Sequence, residues 1–230
     1  MQRIRLWDLP TRLFHWLLVI AIAAAWWTGD QGGSWLIWHG RIGLFIVALI
    51  AFRLAWGIVG STYARFSTFV RGPASILAYL RGHWRGLGHN PLGALSVLGL
   101  LGLTALQAAS GLFAANDDIG YTGFLNALVS SSFAADLTRL HHLNFDLLCI
   151  LIAMHIMAIL FYVHIRKDNL ISPMLSGNKT VENGEPARGG GIVALILALL
   201  FAGMVALFAS GIWLPDFPAA PATSQSKPDW

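Results

Sequence analysis

The chain has 230 residues, 56% of them hydrophobic and only 11% charged, with a mean hydropathy of +0.64. A soluble domain of this length carries about 25% charged residues, so the composition excludes an ordinary water-soluble fold. The formal charge of +4 is no nucleic-acid signal, because the basic residues are distributed by topology.

Arg3, Arg5 and Arg12 lead into a first apolar run near Leu13–Gly29. Its basic start and "AIAAA" stretch mimic a secretory leader, but it runs on through Trp26 and Trp27, which fit interfacial anchors. We read it as a retained span. A second run lies near Leu36–Ile58, with Arg41 near its start and Arg53 near its end. The segment from Gly60 to Asn90 is rich in Gly and Arg, including Arg65, Arg71, Arg81 and Arg85. Within it "PASILAYL" predicts a short helix on the membrane surface, and His83 and His89 read as solvated. Asn90 followed by Pro91 predicts an N-cap and first-turn proline for a third span near Pro91–Phe113.

The segment from Ala114 to Leu140 is long for a bundle connection. It holds Asp117, Asp118 and Asp136 but also "FLNALV", so it is expected to fold over one end of the bundle. A fourth span lies near Asn144–Ile165, followed by Arg166, Lys167, Lys179 and Arg188. A fifth, near Gly191–Leu214, has no ionisable side chain, and its tail "PDFPAAPATSQSKPDW" reads as disordered chain. Each run approaches the roughly 20 residues that a spanning helix needs. The alternation of a β-barrel is absent, so an all-α membrane protein is expected. The other side of the membrane has only Arg139, Lys227 and the edge residue Arg41. The positive-inside rule therefore puts the N-terminus in the cytoplasm and the C-terminus outside, as five spans require.

Cys149 is the single cysteine, so a disulfide framework and a thiolate cluster are excluded within the chain, and Cys149 reads as a packing residue. No C-x-x-C-H is present, which excludes a covalent c-type haem. Histidines in or at the ends of spans are His15, His39, His141, His142, His155 and His164. Ionisable groups at membrane depth are costly and face a bundle interior. His141 and His155 are 14 residues apart, a rotation of about 1400°, so they share a helix face at depths about 21 Å apart. His142 lies about 100° away and His164 faces the opposite way. Depth pairs His39 with His141 and, with some helix tilt, His15 with His155. Two stacked bis-histidine sites are what two non-covalent b-type haems require. Arg53, 14 residues after His39, is placed to pair with propionates of the inner haem, and Arg41 with those of the outer. Gly40, Gly43, Gly93, Gly99 and Gly102 would let flat rings, or simply other helices, approach the backbone.

The stretches "WDLPTRLFHWLLV", "ARFSTF", "HNPLGALSVL" and "HHLNFDLLCILIAMH…RKDNL" resemble the prokaryotic cytochrome b561 family. That group includes the di-haem cytochrome b subunits of nickel–iron hydrogenases. The resemblance covers roughly residues 5–180. It implies a four-helix transmembrane bundle binding two haems, with His15, His39, His141 and His155 as iron ligands. It also implies electron exchange between the quinone pool and a periplasmic partner, a hydrogenase-like enzyme or a c-type cytochrome. The fifth C-terminal transmembrane helix departs from that pattern and bears on docking or homodimer formation. The expected organisation is a cytochrome domain over residues 1–180, a linker and fifth helix over 181–214, and an external tail over 215–230.

The expected function is therefore electron transfer in the bacterial inner membrane, in contact with lipid and not with nucleic acid. Asp146 and His142 on the outer side, and His164 and Lys167 on the inner, are candidate proton acceptors for quinone chemistry. Two other classes compete. One is a stand-alone quinone-linked oxidoreductase acting on a small oxidant such as superoxide. The other is a histidine-based metal or proton transporter, which lacks the expected carboxylate chains and inverted repeat.

Overall fold

The computed structural model describes residues 1–84, 86–116 and 120–215. Arg85, Asp117, Asp118 and the tail from residue 216 onward, expected to be disordered, lie outside the described residues. A strand β1 (Gln2–Arg5) leads into helix α1 (Leu9–Gln31), which is followed by α2 (Trp35–Val59), α3 (Phe66–Phe69), α4 (Pro73–Leu80) and α5 (Pro91–Phe113). A two-stranded hairpin, β2 (Ala115–Asn116) and β3 (Tyr121–Thr122), and a 3-10 turn over Asn126–Leu128 lead into α6 (Ser131–His164). Short α7 (Ile171–Ser176), strand β4 (Asn178–Val181) and α8 (Ile192–Ala209) complete the order. Among the described residues α1, α2, α5, α6 and α8 are long and apolar enough to cross a membrane.

The helix ends follow local chemistry. Asp8 caps α1 by accepting from the Thr11 amide at 2.7 Å, and Asn90 caps α5 by accepting from the Gly93 amide at 2.7 Å, each with a proline in the first turn. Gly32 and Gly33, at φ +62° and +52°, make the tight reversal between α1 and α2. α4 coincides with the expected surface helix. The start of α6 differs from expectation. Ser130 accepts from the Phe133 amide at 3.4 Å, so the helix begins well before Asn144. At 34 residues it is about 51 Å long, longer than the hydrocarbon core of about 30 Å, so its polar first turns stand beyond the apolar span.

α1 and α2 form one antiparallel pair and α5 and α6 a second; α2 joins them by packing on α5. α8 packs on α2, bringing buried Ala198 and Ala202 into the core that α2 contributes to. Small side chains allow this close approach where lipid offers no hydrophobic drive. α2 is the most buried of the five long helices and contributes Leu49, Ile50, Phe52 and Trp56 to the core. β1 and β4 pair antiparallel, Gln2 with Val181, and cap the end of the bundle where α1 starts. The linker to α8 crosses the same end: Thr62 donates its amide to Arg188 O at 2.8 Å and Tyr63 its hydroxyl to Glu185 O at 2.7 Å. The β2–β3 hairpin caps the opposite end, held to α6 by Thr138, whose hydroxyl bridges the Ala115 amide and carbonyl at 3.1 Å each.

Candidate functional site

The apolar walls of the two helix pairs face each other, and two histidine pairs bridge them. His39 on α2 and His141 on α6 stand with ring centroids 6.0 Å apart and planes at 77°. Two imidazoles on opposite sides of one metal, each with a metal–nitrogen bond of about 2.0 Å, place their ring centroids about 6 Å apart. His39 Nδ1 lies 2.8 Å from Ala25 O, and His141 Nδ1 lies 2.9 Å from Gln107 O. A carbonyl only accepts, so each Nδ1 carries the proton and each Nε2 is left with a free lone pair.

The neighbouring backbone is cut to fit these rings. A Cβ on Gly29 would sit 2.9 Å from His39 Nδ1, and one on Gly111 would sit 2.9 Å from His141 Cε1. Gly43, by contrast, has nothing within 4 Å of where its Cβ would be. It opens into a cavity of about 420 Å³ lined by both histidines and by Thr104, Phe145 and Leu148. Such a volume falls in the range of about 300–1,000 Å³ usual for bound cofactors. Tyr121 of β3 closes it over Gly40, and burial raises the pKa of that phenol, keeping it a hydroxyl.

The second pair is built differently. His15 on α1 and His155 on α6 are close enough to interact electrostatically. His15 Nδ1 is buried without a hydrogen-bond partner, and His155 Nδ1 meets only Ser96 Oγ, at 3.4 Å. Arg53 is 3% exposed, with its guanidinium 4.7 Å above the Phe66 ring and its Nη1 unpartnered. Asp8 is in electrostatic contact with it, but Asp8 also accepts from Trp56 Nε1 at 3.0 Å and caps α1. Arg12 Nε and Arg65 Nε are also buried without partners. Donors left open in this way suit a ligand that carries carboxylates.

His89 corrects an expectation. It is not a solvated loop residue: its ring lies 4.7 Å from Trp7 and 4.7 Å from Phe69, and its Nδ1 is sealed and unpartnered. Burial, with Arg53 and His155 nearby, pushes its pKa down to about 3. Trp7 and Phe69, far apart in the chain, enclose it. His83 is exposed, as expected.

The other expected residues lie as follows. Arg41 is exposed and stacks over Trp38 at 5.1 Å, away from the cavity lining. His142 reaches the cavity next to His141, whereas Asp146, His164 and Lys167 are exposed and do not line it. Cys149 is exposed on α6, not in the core where it was expected to pack. Gly93 and Gly99 sit against Asn90 and Leu151, while Gly102 has open space. Gly29, Gly111, Gln107 and Asn144 escaped the sequence reading. Asn144, 1% exposed, donates to Gln107 Oε1 at 2.7 Å and to Leu103 O at 2.9 Å, fixing the residue whose carbonyl holds His141. Only its position three residues after His141, on the same face, marks it in the sequence.

Among the described residues no group of three or more His, Cys, Asp or Glu gathers around a possible ion. A bare zinc takes four ligands, more than either pair offers. A family model described as prokaryotic cytochrome b561 matches residues 6–177. That stretch holds all four histidines and leaves β4 and α8 outside. No curated protein and no solved structure matches the chain.

Proposed function

The chain belongs to the prokaryotic cytochrome b561 family, and on that premise we propose that it is a di-haem carrier moving electrons across the bacterial inner membrane between the quinone pool and a periplasmic redox protein. At the family level it is a multi-pass membrane b-type cytochrome that binds haem b and takes part in electron transfer. Bound haem supplies a one-electron iron couple. The chain supplies the rest. His39 and His141 bind one haem, His15 and His155 the other, through their Nε2 atoms. Ala25 and Gln107 carbonyls orient the first pair, and Arg53 holds propionates at the second. Cavity walls such as Phe145 and Leu148 exclude water. The basic end, with Arg3, Arg5 and Arg12, faces the cytoplasm by the positive-inside rule, so His15–His155 is the inner site and His39–His141 the outer.

The observation that carries this reading is the opposed His39–His141 pair at 6.0 Å with both Nδ1 atoms pinned to main-chain carbonyls. The test is haem extraction and a reduced-minus-oxidised visible spectrum on purified protein. Two non-covalent haems per chain are expected, falling to one in His39→Ala and to one in His155→Ala. No haem, from cells well supplied with it, overturns the proposal.

A further inference from the structure

The stretches "AWWTG" (25–29) on α1 and "QAASG" (107–111) on α5 share one pattern. Each starts with a residue whose carbonyl holds an imidazole from the next long helix, has a hydroxyl residue three positions on and a glycine four positions on. We infer that they are two copies of one imidazole seat, in which Thr28, Gly29, Ser110 and Gly111 are positioning residues that fix the tautomer and ring plane of His39 and His141. The inference rests on the reading of those two histidines as iron ligands.

The glycine uncovers the carbonyl. Side chains on a helix lean toward its N-terminus, so the residue four positions on, about one turn later, lies over the carbonyl. With glycine there, the imidazole takes the space of the missing side chain. His39 Nδ1 reaches Ala25 O at 2.8 Å and sits 2.9 Å from where a Gly29 Cβ would be. His141 Nδ1 reaches Gln107 O at 2.9 Å, and its Cε1 sits 2.9 Å from where a Gly111 Cβ would be. An alanine at either position pushes the ring off its carbonyl.

The hydroxyls act on the same carbonyls. Thr28, 3% exposed, donates to Ala24 O at 2.7 Å and to Ala25 O at 3.1 Å. Ser110, 2% exposed, donates to Gln107 O at 3.1 Å and lies 3.2 Å from His141 Nδ1. A hydroxyl bonded back onto its own helix bends the ladder there, which turns the carbonyl outward to the neighbouring ring. Ser110 also touches that ring. With its proton on Gln107 O, its lone pair faces the Nδ1–H of His141, so one proton is shared between two oxygens of the seat. An imidazole held at Nδ1 by acceptors keeps its proton there and leaves Nε2 with a lone pair.

The other histidine pair shows what each part contributes. Ser96 brings a hydroxyl 3.4 Å from His155 Nδ1, but the residue after it is Val97, and among the described residues His155 makes no bond to a main-chain carbonyl. A hydroxyl without the following glycine does not make the seat. His15 Nδ1 has no hydrogen-bond partner at all. The two complete seats lie one in each helix pair: α1 seats a ring from α2, and α5 seats a ring from α6. Each pair therefore sets its own imidazole without help from the other.

The test measures haem per chain and the low-spin electron paramagnetic resonance of the oxidised full-length protein, a signal that follows the angle between two axial imidazole planes. Gly29→Ala and Gly111→Ala are each expected to halve the haem content. Gly102→Ala, on α5 with nothing within 4 Å of the added Cβ, keeps it. Thr28→Val and Ser110→Ala are expected to keep both haems, to shift one resonance and to loosen the retention of one haem about tenfold; Thr28→Ser restores the unaltered signal. Should a glycine variant not fold, the hydroxyl variants decide. Full haem content in either glycine variant, or an unmoved resonance in either hydroxyl variant, overturns the inference and leaves the two-haem reading standing. A single haem in the unaltered chain overturns the two-haem reading alone: its loss in Gly111→Ala still supports the seat, and its retention there overturns that too. No haem overturns both.

Discussion

Asp8 holds the start of α1 and the indole of Trp56 with its two oxygens and offsets the buried charge of Arg53. Asp8→Ala removes a cap and strands a buried indole N–H, a loss of about 1–3 kcal/mol. Thermal unfolding in detergent, read by tryptophan fluorescence, measures it, and Asp8→Asn is expected to recover most of the loss. His89 gives a pH dependence of known sign. Its pKa falls from 6.5 to about 3 on folding, so between those values the unfolded chain binds the extra proton. Stability is therefore full above about 6.5 and declines as the pH drops toward 3. Unfolding midpoints measured across that range should fall with acid, and His89→Gln should flatten the slope. The alignment of His141 with His155 was readable because helical phase is a property of one segment. The seats of those rings were not: Gly29 and Gly111 matter only through the register of a neighbouring helix, and His89 is half-buried against rings from two other stretches.

α8 meets α2 through alanines one helical turn apart, Ala198 and Ala202. Ala202→Leu forces the two backbones apart and is expected to cost about 1–3 kcal/mol, read as a lower midpoint of thermal unfolding. Ala198→Gly, which keeps the close approach, is expected to cost less. Gly57 plays the same part toward α3, since a Cβ there would enter the Phe66 ring that lies beneath Arg53. The five spans were legible because each is a continuous apolar run. The true start of α6 was not, because its first ten residues, SSFAADLTRL, are too polar to register as membrane helix. There the capping Ser130 marks the beginning and hydropathy does not.

None of the four candidate ligand histidines lies on α8. A chain ending at Val181 keeps both pairs and the β1–β4 contact, but it uncovers the flank of α2 and drops the linker strap over Tyr63 and Thr62. Such a chain is expected to hold as much haem as the full one and to unfold at a lower temperature; a haem ratio with a melting curve checks both. The two-layer arrangement was legible as far as helix count and depth carry it. The caps at either end were not, since they are made by segments that meet only in three dimensions. One of those caps also imposes a timetable. Gln2 pairs with Val181, so the first strand of the protein waits until four of the five long apolar helices have been synthesised. At about 5–20 residues per second, the end of the bundle where α1 starts stays unlatched for on the order of ten seconds or more after the N-terminus emerges. That end of the bundle is therefore latched only after its first four long helices exist, with α8 still to follow.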